Sequence, residues 1–190
     1  MKLTRTVRAL AACTGLASLS IAGTALATPM PAPAVKAEPK PASTALYSGR
    51  WYEIARTPNS MQGDCQASTY DFAGWVSGAF KAVQTCHKGA PTGPAKVMKL
   101  DGKVVPASDN AKIQLGILGG LINQEYWVLD HASDNAWLIM STANQRYVWL
   151  MSRAPALSAV QKAAALARLQ QLGFDIARLT FPQQQQIASR

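Results

Sequence analysis

The chain has 190 residues, enough for one domain of ordinary size with a sizeable core. It is 48% hydrophobic and only 15% charged, with a formal net charge of +9. The Lys and Arg residues are scattered and form no run, the pattern of a solvated surface. That excludes a dedicated nucleic-acid binder and leaves a peripheral contact with an anionic membrane as the one macroscopic role for the charge.

Residues 1–27 read as a signal peptide. Lys2, Arg5 and Arg8 make a basic start, residues 9–27 carry no charge, and Ala25-Leu26-Ala27 is a small-x-small cleavage signature. An uncleaved anchor is the alternative, although the stretch is weakly apolar and could only just span a bilayer. Leu10-Ala11-Ala12-Cys13 also matches a lipobox, in which Cys13 would be lipidated and held at an outer membrane. Only residues 9–12 would then follow the basic start, against an apolar region of about 7–15 residues in a working signal. Cleavage near Ala27 removes three cations and no acid, so the charge falls from +9 to +6. The product is expected to be periplasmic or secreted. It keeps Cys65 and Cys86, an even count that reads first as a disulfide in an oxidising compartment, with a reactive thiol as the alternative.

Residues 28–45 hold Pro29, Pro31, Pro33, Pro39 and Pro41 among Ala, Lys and Glu, and read as a disordered, PPII-like leader. The folded domain is expected over residues 46–182, with a polar tail over 183–190. Eight β segments follow one another at a spacing of about a dozen residues: 50–55, 66–72, 79–85, 96–105, 111–117, 125–130, 136–142 and 146–152. Asp101-Gly102 reads as a bend in the fourth. Such a series argues for an all-β sandwich or barrel. The tetrapeptide Ser-Asp-Asn-Ala occurs at residues 108–111 and 133–136, between strands, where Asp and Asn tolerate left-handed backbone; both copies read as hairpin turns.

One helix follows. Ser158 with Gln161 forms a capping box and Gly173 supplies the stop. Ala163, Leu166, Leu169 and Leu172 make an apolar stripe. Residues 146–152 are apolar on both faces, Tyr147, Trp149 and Met151 on one and Val148 and Leu150 on the other. Such a strand is covered twice, by a core inside and by the helix outside. Residues 176–181 could add a last short strand.

At this point the sequence resembles the lipocalins, in particular the bacterial lipocalin and apolipoprotein D branch. Gly49-Arg50-Trp51, extended as GRWYEIAR, resembles the first signature block of that family. Residues 126–130, YWVLD, resemble the second, and residues 147–153, YVWLMSR, the third, followed by Pro155, the capped helix and LGFD. Over residues 88–120 only strand-like texture supports the likeness. The resemblance implies an eight-stranded antiparallel up-and-down barrel, closed at one end, with the helix packed outside. It also implies a structural plug of Gly49, Trp51 and Arg153, the guanidinium lying across the indole.

Within that barrel, the inward positions are Ser68, Tyr70 and Phe72 on the second strand and Phe80 and Ala82 on the third, with Lys81 outward. Together with Tyr126, Tyr147 and Trp149 they make an aromatic lining with a few hydroxyls, suited to an acyl chain with one polar head. The expected ligand is a fatty acid or lysophospholipid, bound without a cofactor or metal by a monomer or weak homodimer; the bland alternative is a barrel filled by its own aromatics. Pairing about Trp75–Val76 sets Cys65 opposite Cys86, one residue out of phase with an inward Phe80, so a bulge is expected, or Cys65 just before the strand. No catalytic site assembles. His87 and His131 read as surface residues, and Glu53, if it points inward, needs a buried partner such as Lys or Arg at the closed end. The rival functions are a thiol-dependent isomerase using Cys65 and a tetrapyrrole or carotenoid carrier.

Overall fold

Alternation of apolar and polar residues every second position is the signature of a half-buried strand, and eight such strands close here into one barrel. The computed structural model describes residue 33, residues 36–117 and residues 120–184. The signal peptide, its cleavage site and Cys13 lie outside the described residues. The strands are β1 (Gly49–Arg56), β2 (Cys65–Val76), β3 (Ala79–Lys88), β4 (Ala95–Val104), β5 (Lys112–Ile117), β6 (Ile122–His131), β7 (Trp137–Thr142) and β8 (Val148–Ser152). Each pairs antiparallel with the next and β8 returns to β1, so no strand edge is left for aggregation. Helix α1 (Ala159–Gln171) lies outside.

Two cores result. The inner one fills the barrel with Trp51, Phe72, Phe80, Leu100, Ile113, Leu138 and Met151. The outer one joins Ala165, Leu169 and Leu172 of α1 to Val148 and Leu150 of β8 and Ile139 of β7. Strand β8 is therefore covered on both faces, as its composition requires. The capping box at Ser158 and Gln161 is present. The helix ends in a Schellman motif, with Phe174 N–H donating to Leu169 O at 3.0 Å and Gly173 N–H to Gln170 O at 2.9 Å. The buried stripe differs from the expected one: Ala163 is exposed and Ala165 is buried. A strict three-residue repeat drifts around a helix of 3.6 residues per turn, whereas 165, 169 and 172 stay on one face.

Several boundaries move. The β2–β3 turn is Ser77–Gly78, both with positive φ, so the hairpin pairing is not centred on Trp75–Val76. Ser77–Gly78 is one of the two dipeptides whose sequence marks a loop there; the other, Ala73–Gly74, lies inside β2. Asp101-Gly102 is no bend but lies inside β4, where a Cβ on Gly102 would fall 2.1 Å from the Phe80 ring. Asp109, Asn110 and Asn135 have φ of 49°, 58° and 58°, as the Ser-Asp-Asn-Ala turns require. Residues 176–181 form no strand. A 3-10 turn at Ile176–Arg178 leads to a single bridge between Thr180 and Arg56.

The described part of the leader, residues 36–45, packs on the barrel rather than standing free of it. Strand β5 pairs with β6 only as far as Trp127, which leaves the closed-end half of β6 short of a neighbour. The leader supplies it: Lys40 N–H donates to Val128 O at 2.8 Å and Lys40 Nζ meets Asp130 at 2.5 Å. Asp130 also accepts from Arg168 Nε of α1 at 2.5 Å, so one carboxylate joins leader, barrel and helix. Gln145 brackets Ala37 from both sides, accepting from its N–H at 2.9 Å and donating to its carbonyl at 2.6 Å. Composition alone missed this because the contacts are made mainly by backbone groups and a few polar side chains, with only the small Ala37 and Ala42 packed against the cores.

Candidate functional site

The closed end is built by the residues around the first strand. A 3-10 turn, Thr44–Tyr47, crosses it, and Trp51 is fully buried beneath, its indole N–H donating to Leu46 O at 2.8 Å. Arg153 lies over the indole with its guanidinium carbon 3.8 Å from the ring centroid. It donates to the carbonyls of Ser48, Ala45 and Arg50 at 2.5, 2.7 and 3.2 Å. Gly49 has a φ of +65°, a backbone conformation that a side chain would strain, and the position a Cβ would take lies against the guanidinium. The floor above is a cluster of three near-parallel rings, Tyr47, Trp75 and Phe80, with centroids 5.3, 5.9 and 6.0 Å apart. The Tyr47 hydroxyl donates to Asn110 O, and burial pushes its pKa up.

A cavity of about 390 Å³ fills the rest of the barrel and opens at the other end. That volume falls in the range of small-molecule sites. Its deep wall is Phe72, Leu100, Leu115, Met140 and Met151. Higher up come Tyr70, Gln84, Tyr126, Thr142, Tyr147 and Trp149, and the mouth is rimmed by residues 59–61, Ile117, Ile122 and Gln124. No charged side chain lines it among the described residues. Burial raises the pKa of both the Tyr70 and Tyr126 phenols, so they stay neutral. Gln84 Nε2 donates to the Tyr70 oxygen at 2.7 Å, and Tyr126 meets Trp149 edge-on at 5.6 Å.

Behind this wall is a buried ion pair. Residues three apart on a regular strand face opposite ways, but a bulge between Glu53 and Ala55 brings Arg56 round to Glu53 at 2.5 Å. Arg56 also donates to the carbonyls of Gln62 and Cys65. Gln62 links the pair to the cavity, donating to Glu53 at 2.7 Å and accepting from the Trp149 indole at 3.2 Å. Burial raises the Glu53 pKa against the opposing pull of Arg56 and Gln62. The partner of Glu53 is thus Arg56 at the open-end side, not a cation at the closed end.

Of the residues expected to bind ligand, Tyr70, Phe72, Tyr126, Tyr147 and Trp149 line the cavity. Phe80 faces inward as expected but is spent on the floor cluster. Ser68 is fully buried beside Glu53, where Gln184 of the tail donates to the Ser68 and Glu53 carbonyls. Sequence reasoning missed Gln62 and Gln84, and also Met98, Leu100 and Leu115. The last three lie on β4 and β5, where Met98 and Leu100 alternating with Lys99 was the available signal. Gln62 sits in a loop, where periodicity says nothing.

Cys65 and Cys86 form a disulfide with Cα atoms 5.5 Å apart. They are not register partners: Cys65 pairs with Lys88 and Cys86 with Ser68, with the expected bulge between Cys65 and Ala67. With both sulfurs joined, the isomerase reading has no free Cys65 thiol. His87 sits against Gly93 O, and His131 between the carbonyls of Ala132 and Pro41, neither at the cavity. Among the described residues no group of three His, Cys, Asp or Glu could hold a metal ion.

A closed eight-stranded barrel with a Trp–Arg plug and a one-ended apolar cavity defines a lipocalin-type binding protein. The Lipocalin-like domain profile matches residues 44–184, and the chain belongs to that family, whose members generally bind small hydrophobic ligands. It is 25% identical over 142 residues to outer membrane lipoprotein Blc of Vibrio cholerae, covering 73% of this chain and 81% of that protein. It is 26% identical over 141 residues to mouse apolipoprotein D, covering 70% and 72%. Among solved structures it resembles insecticyanin of the tobacco hornworm Manduca sexta, with a TM-score of 0.65, 16% identity and coverage of 85% and 90%. H1 crustacyanin of the lobster Homarus americanus gives 0.61 at 14% identity, covering 84% and 91%. At those identities the structural likeness speaks for the fold alone.

Proposed function

We propose that the protein is an exported, non-enzymatic carrier of a fatty acid or lysophospholipid, with the acyl chain in the barrel and the polar head at the mouth. The observation that carries this reading is the uncharged one-ended cavity, apolar at depth and ringed above by Tyr70, Gln84, Tyr126 and Gln62. Each buried methylene contributes about 0.8 kcal/mol, so a long chain reaches micromolar affinity, about −8.2 kcal/mol, after association costs. Among the described residues that line the cavity, apolar and uncharged side chains predominate and none pairs a nucleophile with a base, which supports binding over catalysis. Export with cleavage near Ala27 goes with this role, lipidation at Cys13 being the alternative, and a monomer or weak homodimer suffices for it.

The test is lipid mass spectrometry of a native extract, together with titration of fatty acids of graded length followed by Trp fluorescence. Affinity is expected to rise with chain length until the cavity is full and then stop. Trp149→Ala should shift the preferred length upward, and Trp149→Arg should abolish binding by burying an unpaired charge. An empty extract with no dependence on length would leave a filled barrel and no carrier. The Tyr126–Trp149 wall would also suit a flat tetrapyrrole or carotenoid, and a visible absorption band in freshly isolated protein would select that reading instead.

A further inference from the structure

We propose that the rim of the open end is a docking surface for an anionic phospholipid bilayer, so that the cavity mouth faces the membrane. Among the described residues seven large hydrophobic side chains are exposed, and four of them, Met61, Val97, Leu121 and Ile122, lie at this end. They come from three separate places: the β1–β2 loop, the start of β4, and the β5–β6 connection. Leu121 is 84% and Met61 65% exposed. Single exposed apolar residues are ordinary, but a ring of them around one opening marks an interaction site. Met61 and Ile122 also line the cavity, so the apolar surface runs from the interior out onto the rim.

Charge selects the partner. Arg146 in the β7–β8 loop and Lys96 on β4 are exposed and form no ion pair among the described residues. Lys88 pairs at 3.2 Å with Asp64, the only acid in the four open-end loops. Glu125 lies at this end too, its carbonyl accepting from Ala143 N–H of the β7–β8 loop. The mouth thus holds Lys88, Lys96 and Arg146 against Asp64 and Glu125, a small positive excess that suits an anionic surface. The leader leaves the rim open. Ala37 is held by Gln145 at the open end and Pro33 lies against Gly173, before the chain descends to Ala42 and Asp109 at the closed end.

Three apolar points on separate strands and loops, interspersed with cations, fit an interfacial layer of headgroups and acyl chains better than a flat protein partner. The inference rests on the carrier reading for its purpose: a lipid would pass between bilayer and cavity without crossing water. The test uses the full exported chain carrying Leu121→Trp or, on the outer face of α1, Val160→Trp, each compared with its parent. The vesicles are equimolar phosphatidylcholine and phosphatidylglycerol with brominated acyl chains. The added emission of Leu121→Trp should be quenched and that of Val160→Trp should not. Leu121→Asp combined with Arg146→Glu should weaken partition onto these vesicles by about tenfold or more. The same double variant should titrate fatty acid in vesicle-free solution like the parent, since neither residue lines the cavity. Equal quenching at both positions, no quenching at either, or a rim that drives self-association instead would overturn the docking surface. Loss of fatty-acid binding in the parent would instead sink the carrier reading.

Discussion

Replacing Arg153 by Ala removes the guanidinium that lies 3.8 Å from the Trp51 ring and three hydrogen bonds to the carbonyls that close the barrel. A partly desolvated cation–π contact is worth about 0.5–2 kcal/mol. Buried bonds from a charged donor reach about 1.5–3 kcal/mol, but Arg153 is half-buried and water can replace it, so about 0.5 kcal/mol each is the fair discount. The expected loss is about 2–4 kcal/mol, a fall in Tm of roughly 5–12 °C for a barrel of this size. Arg153→Lys keeps a cation over the ring and loses the planar fork, so it should fall between the two. Thermal and urea unfolding measure both variants. Fatty-acid affinity should change less than about twofold, since the cavity is separated from the plug by the floor cluster. An unchanged Tm, or lost affinity at an unchanged Tm, would refute the assignment of this pair to closing the barrel.

Gly102→Ala should cost about 1–3 kcal/mol, because the new methyl meets a Phe80 ring clamped in the floor cluster. Phe80→Ala in the same chain should recover part of that loss, and urea unfolding of the double-mutant cycle checks it. For Asp130 burial pushes the pKa up, but the hydrogen bonds from Lys40 and Arg168 outweigh it, and the folded value lies below the ordinary 3.8. A depressed carboxylate stabilises above its unfolded pKa and loses that contribution as pH falls through the folded one. Protection factors of the Lys40 and Ala42 amides should therefore hold at neutral pH and drop in acid below about pH 4, and Asp130→Asn should abolish that dependence. Cys86→Ser should lower stability by about 2–4 kcal/mol, and alkylation of the denatured, unreduced native protein should label no thiol.

What could be read along the chain was whatever depends on neighbours in sequence. The eight alternating segments, the Ser158 cap with its Gly173 stop, the left-handed Asn and Asp turns, and a β8 apolar on both faces all follow from periods of two and 3.6 and from local hydrogen bonding. Trp51 and Arg153 were paired through the family's ordered blocks. The cavity was read less completely: Tyr70, Phe72, Tyr126, Tyr147 and Trp149 line it, whereas Phe80 was assigned to ligand and belongs to the floor. Inward direction is a local property, but height within the barrel is not. It depends on the stagger of all eight strands on closure. The same reason hid Gln62, which reaches the cavity from a loop, and Arg56, which meets Glu53 through a bulge. The packing of leader residues 36–45 was not legible because their partners, Val128, Asp130 and Gln145, lie 88 to 108 residues away and exist only once β6 runs past the start of β5. Composition and period decide which residues go inside and where elements start and stop. Only closure of the barrel decides which of the inward residues meet one another and which are left lining a ligand-sized cavity.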